Sequence, residues 1–151
     1  MNAQNEELVE KYPWLKPRNA WTGEELKDYD YEFTLMDDIP EGWRIAFGDK
    51  MVQELDDLLK KYNIRNEYRI LQIKEKFGGL RWYDTGFPKE GYDEYMEWLH
   101  KYEDLSFETC INCGKPAKYF TKGWIVPICE DCAKKYKYEE KQLSLINKEN
   151  T

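Results

Sequence analysis

Apolar positions recur at helical spacing in two stretches of the chain. Met51, Val52, Leu55, Leu58, Leu59 and Tyr62 form one stripe, which predicts a helix over Asp49–Tyr62. Asp49 suits its N-cap, Lys60 and Lys61 favour its C-terminal dipole, and Asn63 can end it. Pro88 opens a second amphipathic helix that runs to about Tyr102, with Tyr92, Tyr95, Met96, Leu99 and Tyr102 on one side. A short helix over Glu6–Tyr12 stops at Pro13, and the following segment to Glu25 reads as irregular, with Thr22 placed to cap a turn at Gly23–Lys27. Tyr29–Leu35 alternates acidic and apolar residues and predicts a strand with one wet face; Asp37–Trp43 reads as a loop. A last helix starts near Cys129 and extends into the 140s, leaving a frayed tail from Asn147 to Thr151.

Between the two long helices, Gly78-Gly79 separates two apolar-rich runs. Two consecutive glycines supply the positive φ of a type I′ turn, so the stretch predicts a β-hairpin with Phe77 facing Leu80 and Lys76 facing Arg81. One face then carries Ile73, Glu75, Phe77, Leu80 and Trp82, and turns to the core. The other carries Gln72, Lys74, Lys76, Arg81 and Tyr83, a basic strip ending in an aromatic. Like charges opposite each other need a counter-charge. It comes either from within, from Asp37-Asp38 or from Glu54, Asp56 and Asp57, or from an external anion such as a nucleotide phosphate, a nucleic-acid backbone or an acidic protein surface. Glu75, on the core face, needs Arg69 or a tryptophan N–H as its partner.

The four cysteines fall in one segment as C-x2-C-x15-C-x2-C: Cys110, Cys113, Cys129 and Cys132. Each C-x2-C turn aims two sulfurs at one point, and four thiolates close a tetrahedron around Zn²⁺. Gly114 relieves the first turn, a hairpin bends at Lys122-Gly123, and the second pair opens a helix whose N-terminus favours thiolate. That order is treble-clef-like. Four sulfurs leave no open position for water, so the metal is structural; a redox dithiol and an iron–sulfur site are the other readings of the same spacing. His100, ten residues before Cys110, has no partner motif and reads as an ordinary helix residue.

Composition changes this picture in two respects. The chain of 151 residues has a net charge of -7. Residues 1–68 hold 16 acids against 9 bases, while the remainder is balanced, which disfavours nucleic acid across the first half. The metal segment, residues 110–151, carries 8 lysines and 5 acids with no arginine; the bound ion and its thiolates bring it close to neutral, so it reads as a staple more than a base-reading finger. No apolar run is long enough to span a membrane, and Met1–Glu10 is too polar for a leader, so a reducing cytosol is expected. The fold class is α+β: a small antiparallel sheet with amphipathic helices in residues 1–108, and a zinc finger over 109–151 packed on that core.

The order KYP, PEGW, QIKEKFGGLRWY, CINCGKPA and GWIVPIC resembles a family of small zinc-finger proteins encoded by bacteriophages and prophages, with KEKFGGLR (Lys74–Arg81) and CxxCGxP (Cys110–Pro116) its most specific parts. Cys132 stands where that family often has histidine, and Trp21–Ile39 is longer. The resemblance implies a phage setting, residence in the cytoplasm of an infected bacterium and a bound zinc, with no reaction attached. The sequence holds one histidine, no Ser/His/Asp order and no P-loop, so a non-enzymatic reading is preferred. Its first form is an interaction protein that binds a host or phage protein, for instance to inhibit an antiviral defence. The alternative is a nucleotide- or nucleic-acid-binding, sequestering protein that uses Lys74, Lys76, Arg81 and Tyr83.

Overall fold

The computed structural model describes residues 3–19 and 21–146. The predicted frayed tail, Asn147–Thr151, lies outside the described residues. The architecture is α+β, with two small antiparallel sheets and a cluster of four cysteines near the C-terminus.

Helix α1 (Ala3–Lys11) is followed by a 3-10 turn, Pro13–Leu15, that buries Trp14 and Leu15. The central helix begins earlier than its apolar stripe suggested. It starts as α2 (Glu41–Trp43), passes through a π-helical turn at Arg44–Gly48 and continues as α3 (Asp49–Lys61). Asp49 is therefore helix interior and not the cap. The wide turn has a packing reason. Trp43, Phe47, Met51, Leu55 and Leu59 are all buried and spaced by fours, and a uniform α-helix would rotate such a run away from the core by about 40° per step. The π turn takes up part of that drift. Asn63, in the left-handed region at φ 54°, ends the helix as anticipated.

Tyr29–Leu35 is not a strand. Asp28 and Tyr31 have φ values of 58° and 62°, which breaks any extended run. The alternation instead brings the rings of Tyr29, Tyr31 and Phe33 together locally. Thr34 then caps a 3-10 turn over Leu35–Asp38, with the Asp37 carboxylate accepting from the Thr34 N–H, so the expected loop is partly helical.

Strands β1 (Ile70–Lys76) and β2 (Gly79–Asp84) form the hairpin, and α4 (Tyr92–Phe107) packs against β2 and α3. Helix α4 buries Tyr95, Trp98, Leu99 and Tyr102, but Tyr92 at its start is exposed. Two residues span the turn, Phe77 (φ 54°) and Gly78 (φ 88°), giving the two positive φ values of a type I′ turn one residue earlier than predicted. Pairing shifts by two: Lys74 faces Arg81, Glu75 faces Leu80, and Lys76 faces Gly79. A two-residue shift preserves the faces. Ile73, Leu80 and Trp82 are buried as expected, whereas Phe77 sits in the turn, exposed, and not in the core.

Gly79 is glycine for a different reason. A Cβ there would lie 2.3 Å from the Phe107 ring of α4. The Ser106 hydroxyl accepts the Leu80 N–H at 2.8 Å, tying strand to helix.

The C-terminal segment carries β3 (Tyr119–Thr121), β4 (Pro127–Ile128), α5 (Glu130–Lys135) and β5 (Leu143–Leu145), with strand order β4-β3-β5. The predicted last helix is thus cut short after Lys135; its expected extension is a turn, a 3-10 turn at Glu140–Gln142 and then strand β5. Lys137, at φ 59°, marks the break. Among the described residues no helix is long and apolar enough to cross a membrane.

Candidate metal centre and the adjoining hairpin surface

All four sulfurs, Cys110, Cys113, Cys129 and Cys132, lie within 4.8 Å of one another. None is in a disulfide. Four ligands at about 2.3 Å from one ion stand about 3.8 Å apart along the edges of a tetrahedron, so the donor set fits a metal ion. Cys110, Cys129 and Cys132 are buried and Cys113 is half-buried, which closes the site to solvent on most sides.

The local folding explains the convergence. The first knuckle closes through Gly114 N–H to Cys110 O at 3.0 Å and Cys110 N–H to Lys115 O at 2.8 Å, with Gly114 at φ 85°. The second sits where β4 meets α5, with Cys129 as N-cap, its sulfur accepting the Cys132 N–H at 3.4 Å. Burial pushes the Cys132 and Cys129 thiols up, reinforced by neighbouring sulfurs. Burial also opposes ionisation of Cys110, but N–H groups of Cys129, Cys113 and Asn112 outweigh it and hold that thiol below its ordinary value. A cation at the centre removes the sulfur–sulfur repulsion that opposes full deprotonation.

The centre is keyed into the core by two glycines. Gly42 of α2 donates its N–H to Ile111 O at 2.8 Å, and a Cβ on it would fall 2.2 Å from Cys110 O. A Cβ on Gly114 would fall 2.7 Å from Gly42 O. Beside them the buried Trp43 indole donates to Thr109 O at 2.9 Å. The helix therefore rests backbone-to-backbone on the knuckle.

The four residues of the predicted basic strip share one hairpin, but not one environment. Arg81 Nη1 is 3.4 Å from Glu103 of α4, a counter-charge that the sequence reading did not single out. Of the acids it did name, three are engaged elsewhere: Asp37 with Arg44, Glu54 with Lys101 at 2.7 Å, and Asp56 with Lys60 and Arg65 at 3.2 and 2.8 Å. Lys74 stands over the Tyr83 ring at 5.9 Å and Lys76 over Phe77 at 5.7 Å. Among the described residues neither lysine has a carboxylate within ion-pair distance. His100 is exposed on α4, away from the sulfurs' ligand set.

Glu75 finds the tryptophan N–H anticipated for it. Trp124 Nε1 donates to one carboxylate oxygen at 3.0 Å, and the turn N–H of Gly78 donates to the other at 3.1 Å. Ile125 packs against Gly78, at 3.4 Å from the position of a Cβ. The loop between β3 and β4 thus meets the tip of the hairpin. Trp124 is 79% exposed and Phe77 70% exposed, so two aromatic rings stand out at this junction. Sequence reasoning missed Trp124 as a site residue. A usable signal was present: a tryptophan directly after the turn glycine of a short hairpin, Lys122-Gly123-Trp124, has no core within reach.

Comparison with protein families, with curated proteins and with solved structures gave no match. The reading below therefore rests on the residues themselves.

Proposed function

We propose that this chain is a non-catalytic interaction protein in which a structural Zn²⁺, held by Cys110, Cys113, Cys129 and Cys132, fixes the loop that presents Trp124 beside the hairpin tip. The observation that carries the reading is the state of Trp124. Its indole N–H is tethered to Glu75 while most of its ring faces solvent. An aromatic side chain ordered in advance and left uncovered is the anchor type that dominates binding interfaces, because little entropy remains to be lost on contact.

Zinc is favoured over other ions by the all-thiolate set and tetrahedral reach, and a complete set of four leaves no coordination position for a substrate. The order of knuckle, hairpin, knuckle and short helix supports a treble-clef-like centre, to which β5 adds a third strand. In the phage setting that the sequence resemblance implies, such a factor acts by occupying a component of the host or phage machinery, an antiviral defence protein among them.

The test compares zinc-loaded protein with a Trp124→Ala/Phe77→Ser double variant, each immobilised and passed over bacterial extract. One zinc per chain and a retained species lost in the variant are expected. Equal retention by both proteins refutes the reading.

A further inference from the structure

We infer that the turn closed by Asn19 and Gly23, with Arg18 and Arg69 beside it, is a second contact surface, fitted to an acidic polypeptide segment that carries apolar side chains. It uses none of the residues of the Trp124 junction. The first observation is Trp21. Of the six tryptophans, Trp14, Trp43, Trp82 and Trp98 are buried and Trp124 is tethered to Glu75. Trp21 is 96% exposed, and its indole N–H has no partner among the described residues. Its backbone is nonetheless fixed. The Asn19 side chain accepts the Trp21 and Thr22 N–H groups at 2.8 and 3.0 Å. Gly23 N–H donates to Asn19 O at 2.8 Å, and Asn19 N–H donates to Glu24 O at 2.9 Å. A closed turn thus holds out a ring that its own chain leaves bare.

The second observation is charge. Of the five arginines, Arg44, Arg65 and Arg81 each meet a carboxylate, of Asp37, Asp56 and Glu103. Among the described residues only Arg18 and Arg69 do not, and both lie at this turn. Arg18 Nη1 donates to Gly23 O at 3.3 Å. A Cβ on Gly23 would fall 1.7 Å from Arg69 Nη1, so the glycine leaves room for that guanidinium. Of the adjacent acids, Glu25 goes to Lys16 at 3.7 Å, and Glu24 pairs with neither guanidinium. Residues 1–68 hold 16 acids against 9 bases, yet none of those acids is folded onto this pair.

Tryptophan and arginine are the residue types that dominate binding hot spots, and a guanidinium takes a carboxylate through two parallel hydrogen bonds. A ring open on nearly all sides has no second wall to enclose a small ligand, so what covers it is another polypeptide. Two cations at one turn suit a pair of carboxylates; a run of phosphates would meet the acid excess of residues 1–68. The surface is also remote from Trp124. Arg69 N–H donates to Thr85 Oγ1 at 3.1 Å and Thr85 N–H to Arg69 O at 3.0 Å, which places the turn at the open end of the hairpin. The seven residues of β1 put about 23 Å between that end and the tip where Trp124 is held.

The experiment measures binding of the full zinc-loaded chain to an immobilised glutamate–tyrosine copolymer, with polyglutamate beside it. Salt is set at about 150 mM, where charges more than about 8 Å away are screened. The copolymer binds, and polyglutamate binds at least about fivefold more weakly. Trp21→Ala weakens copolymer binding at least about tenfold and removes the difference between the polymers. Arg18→Gln/Arg69→Gln weakens both at least about fivefold. Trp124→Ala and Lys50→Gln/Lys89→Gln each change either by less than about twofold. Melting curves check the fold. If the glutamine pair is unfolded, Arg18→Lys/Arg69→Lys decides in its place, with binding at least about threefold weaker because the charge stays and the fork is lost. Absence of copolymer binding overturns the inference, as does binding that Trp21→Ala leaves unchanged or a loss as large in the lysine control. Oligo-dT that displaces the chain as well as free copolymer does also overturns it, assigning the turn to phosphates. Since Trp124 takes no part in this measurement, failure here leaves the junction reading standing.

Discussion

Replacing Gly42 by alanine isolates the contact between the metal centre and the core. In an unconstrained helix this change stabilises by about 1 kcal/mol, because alanine is the better helix former. Here the added methyl would sit 2.2 Å from Cys110 O and 2.6 Å from Ile111 O, both main-chain atoms that no side-chain rotation can move aside. Relief requires the helix and knuckle to separate. That costs about 1–3 kcal/mol in displaced packing, plus about 1 kcal/mol if the 2.8 Å bond from Gly42 N–H to Ile111 O is lost. After subtracting the propensity gain, the net loss is about 1–3 kcal/mol. For a chain of this length the melting temperature falls about 3–10 °C. The assay is urea unfolding of the zinc-loaded protein beside Lys50→Ala, an exposed helix position expected to change stability by less than about 0.5 kcal/mol. A chelator competition should show Gly42→Ala releasing its metal at a lower chelator concentration. If Gly42→Ala is as stable as the parent and holds its metal equally well, the interlock described here is wrong.

Four further outcomes follow from other contacts. Asp56 is almost fully buried and accepts from Trp14 Nε1 at 2.9 Å, Arg65 Nε at 2.8 Å and Lys60 Nζ at 3.2 Å; burial opposes its charge, but these donors outweigh it and hold the carboxyl below its ordinary value. A depressed folded pKa gives stability that is complete above the unfolded value near 4 and is lost as pH falls through the folded one, so denaturation midpoints should drop below about pH 4 for the parent and less steeply for Asp56→Asn. Asp56→Ala, which strands the buried Trp14 N–H and leaves the half-buried Arg65 without its carboxylate, should cost about 1–3 kcal/mol by urea titration. Ser106→Ala removes the acceptor for the buried Leu80 N–H and should cost about 1–3 kcal/mol, with amide exchange at Leu80 accelerated as the local signature. Stripping the metal under reducing conditions should lower the melting temperature and shift Trp124 emission, since its loop is anchored between the knuckles; unchanged curves would contradict a scaffolding ion.

The parts legible in the sequence are those set by periodicity and spacing. The stripe from Met51 to Tyr62 located α3, and two C-x2-C pairs located the sulfurs. What escaped depends on tertiary contact. Gly78-Gly79 looked like a turn because two glycines satisfy a type I′ geometry, yet only Gly78 is used for its φ. Gly79 makes room for Phe107, a neighbour that no local pattern reveals. The π turn was hidden for a similar reason: Trp43 and Phe47 belong to the helix stripe only once the helix widens. Tyr29–Leu35 alternates as a strand does, but left-handed residues at Asp28 and Tyr31 fold its rings onto one another. Strand β5 follows a helix that stops at Lys135, and its Leu-Ser-Leu alternation is too short to outweigh a helical start.

The shared acceptor at Glu75 gives the hairpin and the metal loop a common hinge pin. Gly78 and Trp124 hang from the two oxygens of one carboxylate, so neither can swing without tugging its neighbour. Displacing the indole would therefore strain the hairpin turn, and slackening of the loop between the two cysteine pairs would reach the same carboxylate.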